Sequence, residues 1–178
     1  MSFKKKFGII CLFLLFVLIG FCPKIQELEE QGAQRQAREQ AYFESLDEKG
    51  KLKYLIRKEL KGKVSTGKDK LRGYQVDSTE NGYDIIVTIN ANEYLTENEI
   101  IKWVEKEMTK IYLMLYKSEY DTNYVQIQAY FPTMDQYGNL IDQNIYTTEI
   151  DKEIAQKINW DQDDSILQYQ ILPKLWNK

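Results

Sequence analysis
The sequence predicts an α+β fold: a mainly antiparallel sheet of about four strands with a helix packed on one face, preceded by an N-terminal membrane helix and a helical stalk. Three observations predict it. Residues 83–91 and 124–131 alternate apolar and polar side chains with the period of a half-buried strand. Residues 96–118 repeat apolar side chains at three- and four-residue steps, the period of an amphipathic helix. Phe7–Cys22 is an unbroken apolar run behind Lys4-Lys5-Lys6, the layout of a membrane-targeting segment. The expected organisation is an anchor or signal segment over 1–23, a helical stalk over 24–61 and an extracytoplasmic α+β domain over 62–178.

At about 1.5 Å per residue a helix over Phe7–Cys22 is about 24 Å long, somewhat short of a ~30 Å hydrocarbon core. Lys6 and Lys24 at its ends are long enough to snorkel. Three lysines precede the run, and Lys24, Arg35 and Arg38 follow it interleaved with Glu27, Glu29 and Glu30. That asymmetry places the N-terminus in the cytoplasm and the rest of the chain outside a single-pass cell-membrane anchor. A cleaved secretory signal competes, but Phe21-Cys22-Pro23 is a poor cleavage context. A lipoprotein signal also competes, with Cys22 lipidated, although the bulky Phe21 stands where a small residue is needed.

Residues 24–40 are rich in Glu, Gln, Arg and Ala with a thin apolar seam, Ile25, Leu28, Ala33, Ala37 and Ala41. They read as a solvated stalk helix, with a weak homo-oligomer through the seam as the alternative. In 42–61, Leu52, Leu55, Ile56 and Leu60 fall at helical spacing; Gly50 is expected to break this helix from what precedes, and Gly62 to end it. Ser65-Thr66-Gly67-Lys68 has the wrong order for a phosphate-binding loop and reads as a turn.

Leu71–Asp77 and Tyr83–Ala91 are expected strands, joined across Asn81-Gly82. Thr96 and Glu99 form a T-x-x-E capping box at the start of the long helix. In the strand Tyr124–Phe131, Val125, Ile127, Ala129 and Phe131 should face that helix, and Tyr124, Gln126, Gln128 and Tyr130 the other side. A turn at Gly138-Asn139 leads into Gln143–Ile150, a returning strand. Asp151 can cap a short helix over 151–159, and the apolar residues of 166–176 should dock on the domain.

Composition removes several chemistries. There is no histidine, and both cysteines, Cys11 and Cys22, lie in the apolar run. His-dependent triads, imidazole metal sites, thiolate nucleophiles and disulfides are therefore absent from the exported part. A net charge of −3 offers no basic excess for phosphates, so nucleic acid is not an expected partner. No cofactor and no metal are expected. Asp161-x-Asp163-Asp164 lacks the glycine and the later glutamate of a calcium loop and reads as an acidic turn.

Asn90–Thr96 (NANEYLT), Asp135–Asn139 (DQYGN) and Lys157–Asp161 (KINWD) together resemble a group of small exported domains found in lipoproteins and membrane-anchored proteins of Gram-positive bacteria. That group similarly carries an NANENLT-like strand end, a D-x-YGN turn and a final KINWD. The resemblance covers roughly residues 62–164. It implies an extracytoplasmic α+β module and supplies no catalytic residues. The chain departs from the lipoprotein members at Phe21, before Cys22.

Thirteen tyrosines make an aromatic binding face the leading candidate site: Tyr124 and Tyr130 opposite the core, Tyr137 in a turn and Tyr146 on the adjacent strand. Strands favour tyrosine in any case, so a half-buried sheet lining is the plain reading. The expected function is a membrane-tethered binding or accessory module without catalytic activity, acting through protein or cell-wall contacts. The alternatives are an envelope hydrolase using carboxylates such as Asp84 with Glu149, and a structural component that oligomerises through the stalk.

Overall fold
A computed structural model describes residues 25–93 and 96–176. The expected anchor Phe7–Cys22, with Cys22, lies outside the described residues. Among those described, no helix is long and apolar enough to cross a membrane.

Two compact units divide at Ser45/Leu46. In the first, residues 25–44 form one helix, α1, with almost every side chain exposed. The seam residues Ile25 and Leu28 are exposed too. Polar pairs one turn apart brace it, such as Gln40 donating to Glu44 at 2.7 Å.

The second unit is an α+β domain. Helix α2 (Glu48–Glu59) opens it. Leu52, Ile56 and Leu60 enter the common core, so α2 packs with the domain although 24–61 reads as one stalk. Gly50 does not break the chain but sits within α2, where the Asp47 carboxylate caps its N–H at 2.8 Å. A Cβ on Gly50 would stand 2.7 Å from that capping oxygen, so here glycine accommodates the cap.

The turn at residues 64–68 leads into strands β1 (Leu71–Thr79) and β2 (Gly82–Asn90). Glu80 and Asn81 alone turn this hairpin. Gly82 has φ +124, and a Cβ there would lie 2.2 Å from the Asp121 carbonyl oxygen, so no other residue fits. Helix α3 (Glu97–Tyr116) starts at the Thr96–Glu99 capping box. Its stripe Val104, Met108, Ile111 and Leu115 is fully buried. Strands β3 (Thr122–Met134) and β4 (Leu140–Asp151) form a long hairpin. Asp151 then caps the short helix α4 (Lys152–Ala155). The chain ends in three successive helical turns: α5 (Asp164–Ile166), a π turn (Leu167–Ile171) and α6 (Leu172–Trp176). Leu167 and Leu172 carry this tail into the core, the docking its apolar content predicts.

The sheet is mixed, in the order β1-β2-β3-β4. The outer pairs are antiparallel, as expected, but the central pair β2/β3 is parallel. The reason is α3: a long helix between two strands returns the chain to the end where β2 began, so β3 runs beside it in the same direction. One face of the sheet, carrying Val76, Ile85, Val87, Ile89, Val125, Ile127 and Ile150, packs with α2, α3 and the tail in a single core.

Several polar groups on the covered side are paired. Glu107 receives hydrogen bonds from Lys70 and Lys110, both at 2.9 Å. Tyr112 and Thr148 share a hydrogen bond of 2.9 Å. Trp160 donates to the Ala155 carbonyl and stacks on Tyr116, with ring centroids 5.0 Å apart, which gives the KINWD stretch a packing role.

Candidate functional site
The second face of the sheet is composed of polar rows that run across the four strands. Strand pairing aligns Asp77, Asp84, Tyr124 and Asp151 in one row. The next holds Gln75, Ile86, Gln126 and Glu149, and the one after it Gly73, Thr88, Gln128 and Thr147. These side chains are half-buried or exposed, the state of a sheet face with solvent over it.

The two ends of this face differ in charge. At the acidic end, Asp77 stands directly opposite Asp84, a like-charge pair that disfavours the sheet. Asn123 donates to Asp84 at 2.7 Å, and Tyr124 donates its hydroxyl to Glu149 at 2.7 Å. Neither Asp84 nor Glu149 forms an ion pair among the described residues, and Asp77 meets Lys49 only at 3.8 Å. At the other end, the register shift at Leu71/Gly73 bulges Arg72 out of β1. Its guanidinium lies over the Tyr130 ring, 4.6 Å from the centroid, and pairs with Asp142 of β4 at 2.8 Å. Lys68 holds the other Asp142 oxygen at 2.6 Å. These two hydrogen bonds keep the Asp142 carboxyl below its usual range.

The four tyrosines expected to form a binding face do not share one surface. Tyr124 and Tyr130 do lie on the open face, but the Tyr130 ring is taken by Arg72. Tyr137 stands in the β3–β4 turn, 80 % exposed. Tyr146 pairs with Ala129 and so faces the helices, where its hydroxyl donates to Glu105 of α3 at 3.0 Å. Its parity with Ile150, four residues on, is the signal that foretells this placement. Burial, then the hydrogen bond to the Glu149 carboxylate, push the Tyr124 phenol up to about 12. Burial and the Glu105 carboxylate push Tyr146 up as well. Both hydroxyls therefore stay protonated at neutral pH and act as hydrogen-bond donors.

Asp84 and Glu149, the candidate carboxylate pair, sit on β2 and β4 with β3 between them, on the open face of the sheet. Among the described residues no group of acidic or thiol side chains converges as a metal site. Two concavities lie away from these rows. One, of about 630 Å³, is lined by Glu97, Ile100, Phe131, Gln143 and Ile145. The other, of about 780 Å³, is lined by Ile154, Ile158, Ile166, Ile171 and Leu175. Comparison with protein-family models, with curated proteins and with solved structures finds no match to this chain.

Two features were not anticipated from the sequence. The Arg72–Tyr130–Asp142 contact depends on a bulge that no composition signal marks. The Asp77–Asp84 opposition was legible in principle, because a two-residue turn at Glu80-Asn81 sets the register that brings them together.

Proposed function
We propose that this chain is a non-catalytic binding module, tethered by its N-terminal apolar run to the outer face of the cytoplasmic membrane and acting through a protein or cell-wall partner. The observation that carries the binding role is the row Asp77–Asp84–Tyr124–Asp151 on the open face. A like-charge pair disfavours folding, and Asp84, which has no cation beside it among the described residues, suits a partner that brings hydrogen-bond donors or positive charge. Tyr124 adds an amphipathic ring beside them. The export reading is supported by Lys4-Lys5-Lys6 ahead of Phe7–Cys22, and by the resemblance of the NANEYLT, DQYGN and KINWD stretches to those of exported modules.

A site-specific crosslink tests it. A photoreactive amino acid replaces Tyr124 in the full chain in intact cells, with a second variant carrying it at Lys106 on the outer surface of α3. The expected result is a discrete adduct from position 124 and not from position 106. Equal labelling at both positions, or none at 124, overturns the open-face reading. Recovery of the chain in the soluble cytoplasmic fraction overturns the tether.

A further inference from the structure
The β3–β4 hairpin ends in an apolar tip. Among the described residues of the compact unit that starts at Leu46, the exposed large hydrophobic ones are Met134, Tyr137, Leu140, Ile141 and Tyr169, and all but Tyr169 sit at this tip. Met134 is 70 %, Tyr137 80 %, Leu140 72 % and Ile141 43 % exposed. Met134 pairs with Leu140 in the last rung, and Tyr137 lies in the turn beyond it. The turn is internally braced. The Asp135 carboxylate accepts from the Tyr137 and Asn139 backbone N–H groups, both at 2.8 Å, and from the Asn139 amide at 3.0 Å. Gly138 closes it at φ +82.

We infer that this tip dips into the interfacial layer of the bilayer to which the chain is tethered, making Met134, Tyr137, Leu140 and Ile141 a second, weak membrane contact. The inference rests on the tethered reading above. Three observations select a lipid surface as the occupant. The patch is too small for a protein partner: four side chains at a hairpin end fall well short of the ~800 Å² per partner that a stable interface buries. Its residue types are those of an interfacial contact, aliphatic side chains beside a tyrosine that keeps its hydroxyl in the wet layer. Its charge is suited to contact without electrostatic attraction: residues 131–146 contain no Lys or Arg, Asp142 is paired with Lys68 and Arg72, and the Asp135 carboxylate is turned inward onto the amides of its own turn. A short apolar tip binds a membrane weakly alone, but a chain already held at the surface engages it at high effective concentration.

The test uses the full chain reconstituted in phosphatidylcholine vesicles, with Tyr137→Trp as the probe and the unaltered chain as background for Trp103, Trp160 and Trp176. The expected result is an added emission that is blue-shifted, quenched by lipids brominated on the acyl chain, and unchanged by high salt. Adding Met134→Ser, Leu140→Ser and Ile141→Ser should remove the quenching while leaving circular dichroism and flotation with the vesicles unaltered. A chain that floats with the vesicles, but whose added tryptophan is neither shifted nor quenched, overturns the tip contact and leaves the tether standing. Concentration-dependent association that protects the probe in place of lipid assigns the tip to a second copy and also overturns it. A chain that fails to float overturns tether and tip together.

Discussion
Val87 and Thr88 are neighbours on β2, yet they belong to two different molecules in energetic terms. Val87 is fully buried among α2, α3 and the tail, whereas Thr88 lies in a polar row of the open face. The same backbone ladder serves both faces. What differs is that one side has apolar area removed from water, and the other has side chains that hydrogen-bond along and across strands. Stability is concentrated on the covered face. The open face is consequently free to carry arrangements that a core would reject, such as Asp77 opposite Asp84.

The largest expected effect comes from breaking the covered face. Ile127 is fully buried at the centre of β3. Ile127→Ala should cost about 3 kcal/mol, from lost transfer energy and the cavity left behind, read as a lowered denaturation midpoint with unchanged slope. The matching change on the open face, at Gln128, should stay within about 0.5 kcal/mol. Equal losses at the two positions would mean that the open face is covered after all.

A charge on the covered side sharpens the contrast. Glu107 is 4 % exposed and bound to Lys70 and Lys110. Burial raises its carboxyl, but the two lysine hydrogen bonds outweigh burial and hold it below the usual glutamate range. Its folded value is therefore the lower one. The stabilisation is fully present above the ordinary glutamate pKa and is lost as pH falls through the folded value. Glu107→Gln should cost about 2 kcal/mol at neutral pH. The gap between variant and parent should close as pH falls from the ordinary glutamate pKa through the lower folded value, measured by urea unfolding at a series of pH values.

The smallest effect has the opposite sign. Asp84→Asn keeps an oxygen for Asn123 while removing the repulsion from Asp77. A gain of roughly 0.2–1 kcal/mol is expected, shrinking at high salt. Loss of the position-124 crosslink in the same variant would mark the like-charge pair as retained for binding.

Much of this was readable locally. The Thr96–Glu99 cap, the stripe Val104–Met108–Ile111–Leu115 and the alternation of Val125, Ile127 and Ala129 are all where their spacing puts them. Each depends on residues a few positions apart, and a backbone period or a capping hydrogen bond suffices to specify it. The candidate site was less legible. Tyr124 was placed on the correct face, but the ring of Tyr130 is occupied by a residue 58 positions earlier in the chain, Arg72. Tyr146 was not distinguished from the outward tyrosines. The apolar run Phe7–Cys22, expected as a membrane segment, lies outside the described residues.

The sequence by itself determined the main strands and helices and the Thr96 and Asp151 caps, together with the removal of histidine and thiol chemistry from residues 23–178. Tertiary structure alone decided the rest: that β2 and β3 run parallel, that α2 joins the domain core, that Gly50 sits inside a helix, and that Arg72 reaches Asp142 over Tyr130. Local patterns are set by steric periods and short-range hydrogen bonds within a turn or two. Strand order, bulges and cross-sheet contacts depend on which distant segments bury their apolar faces together, and that balance is struck only when the whole chain is packed.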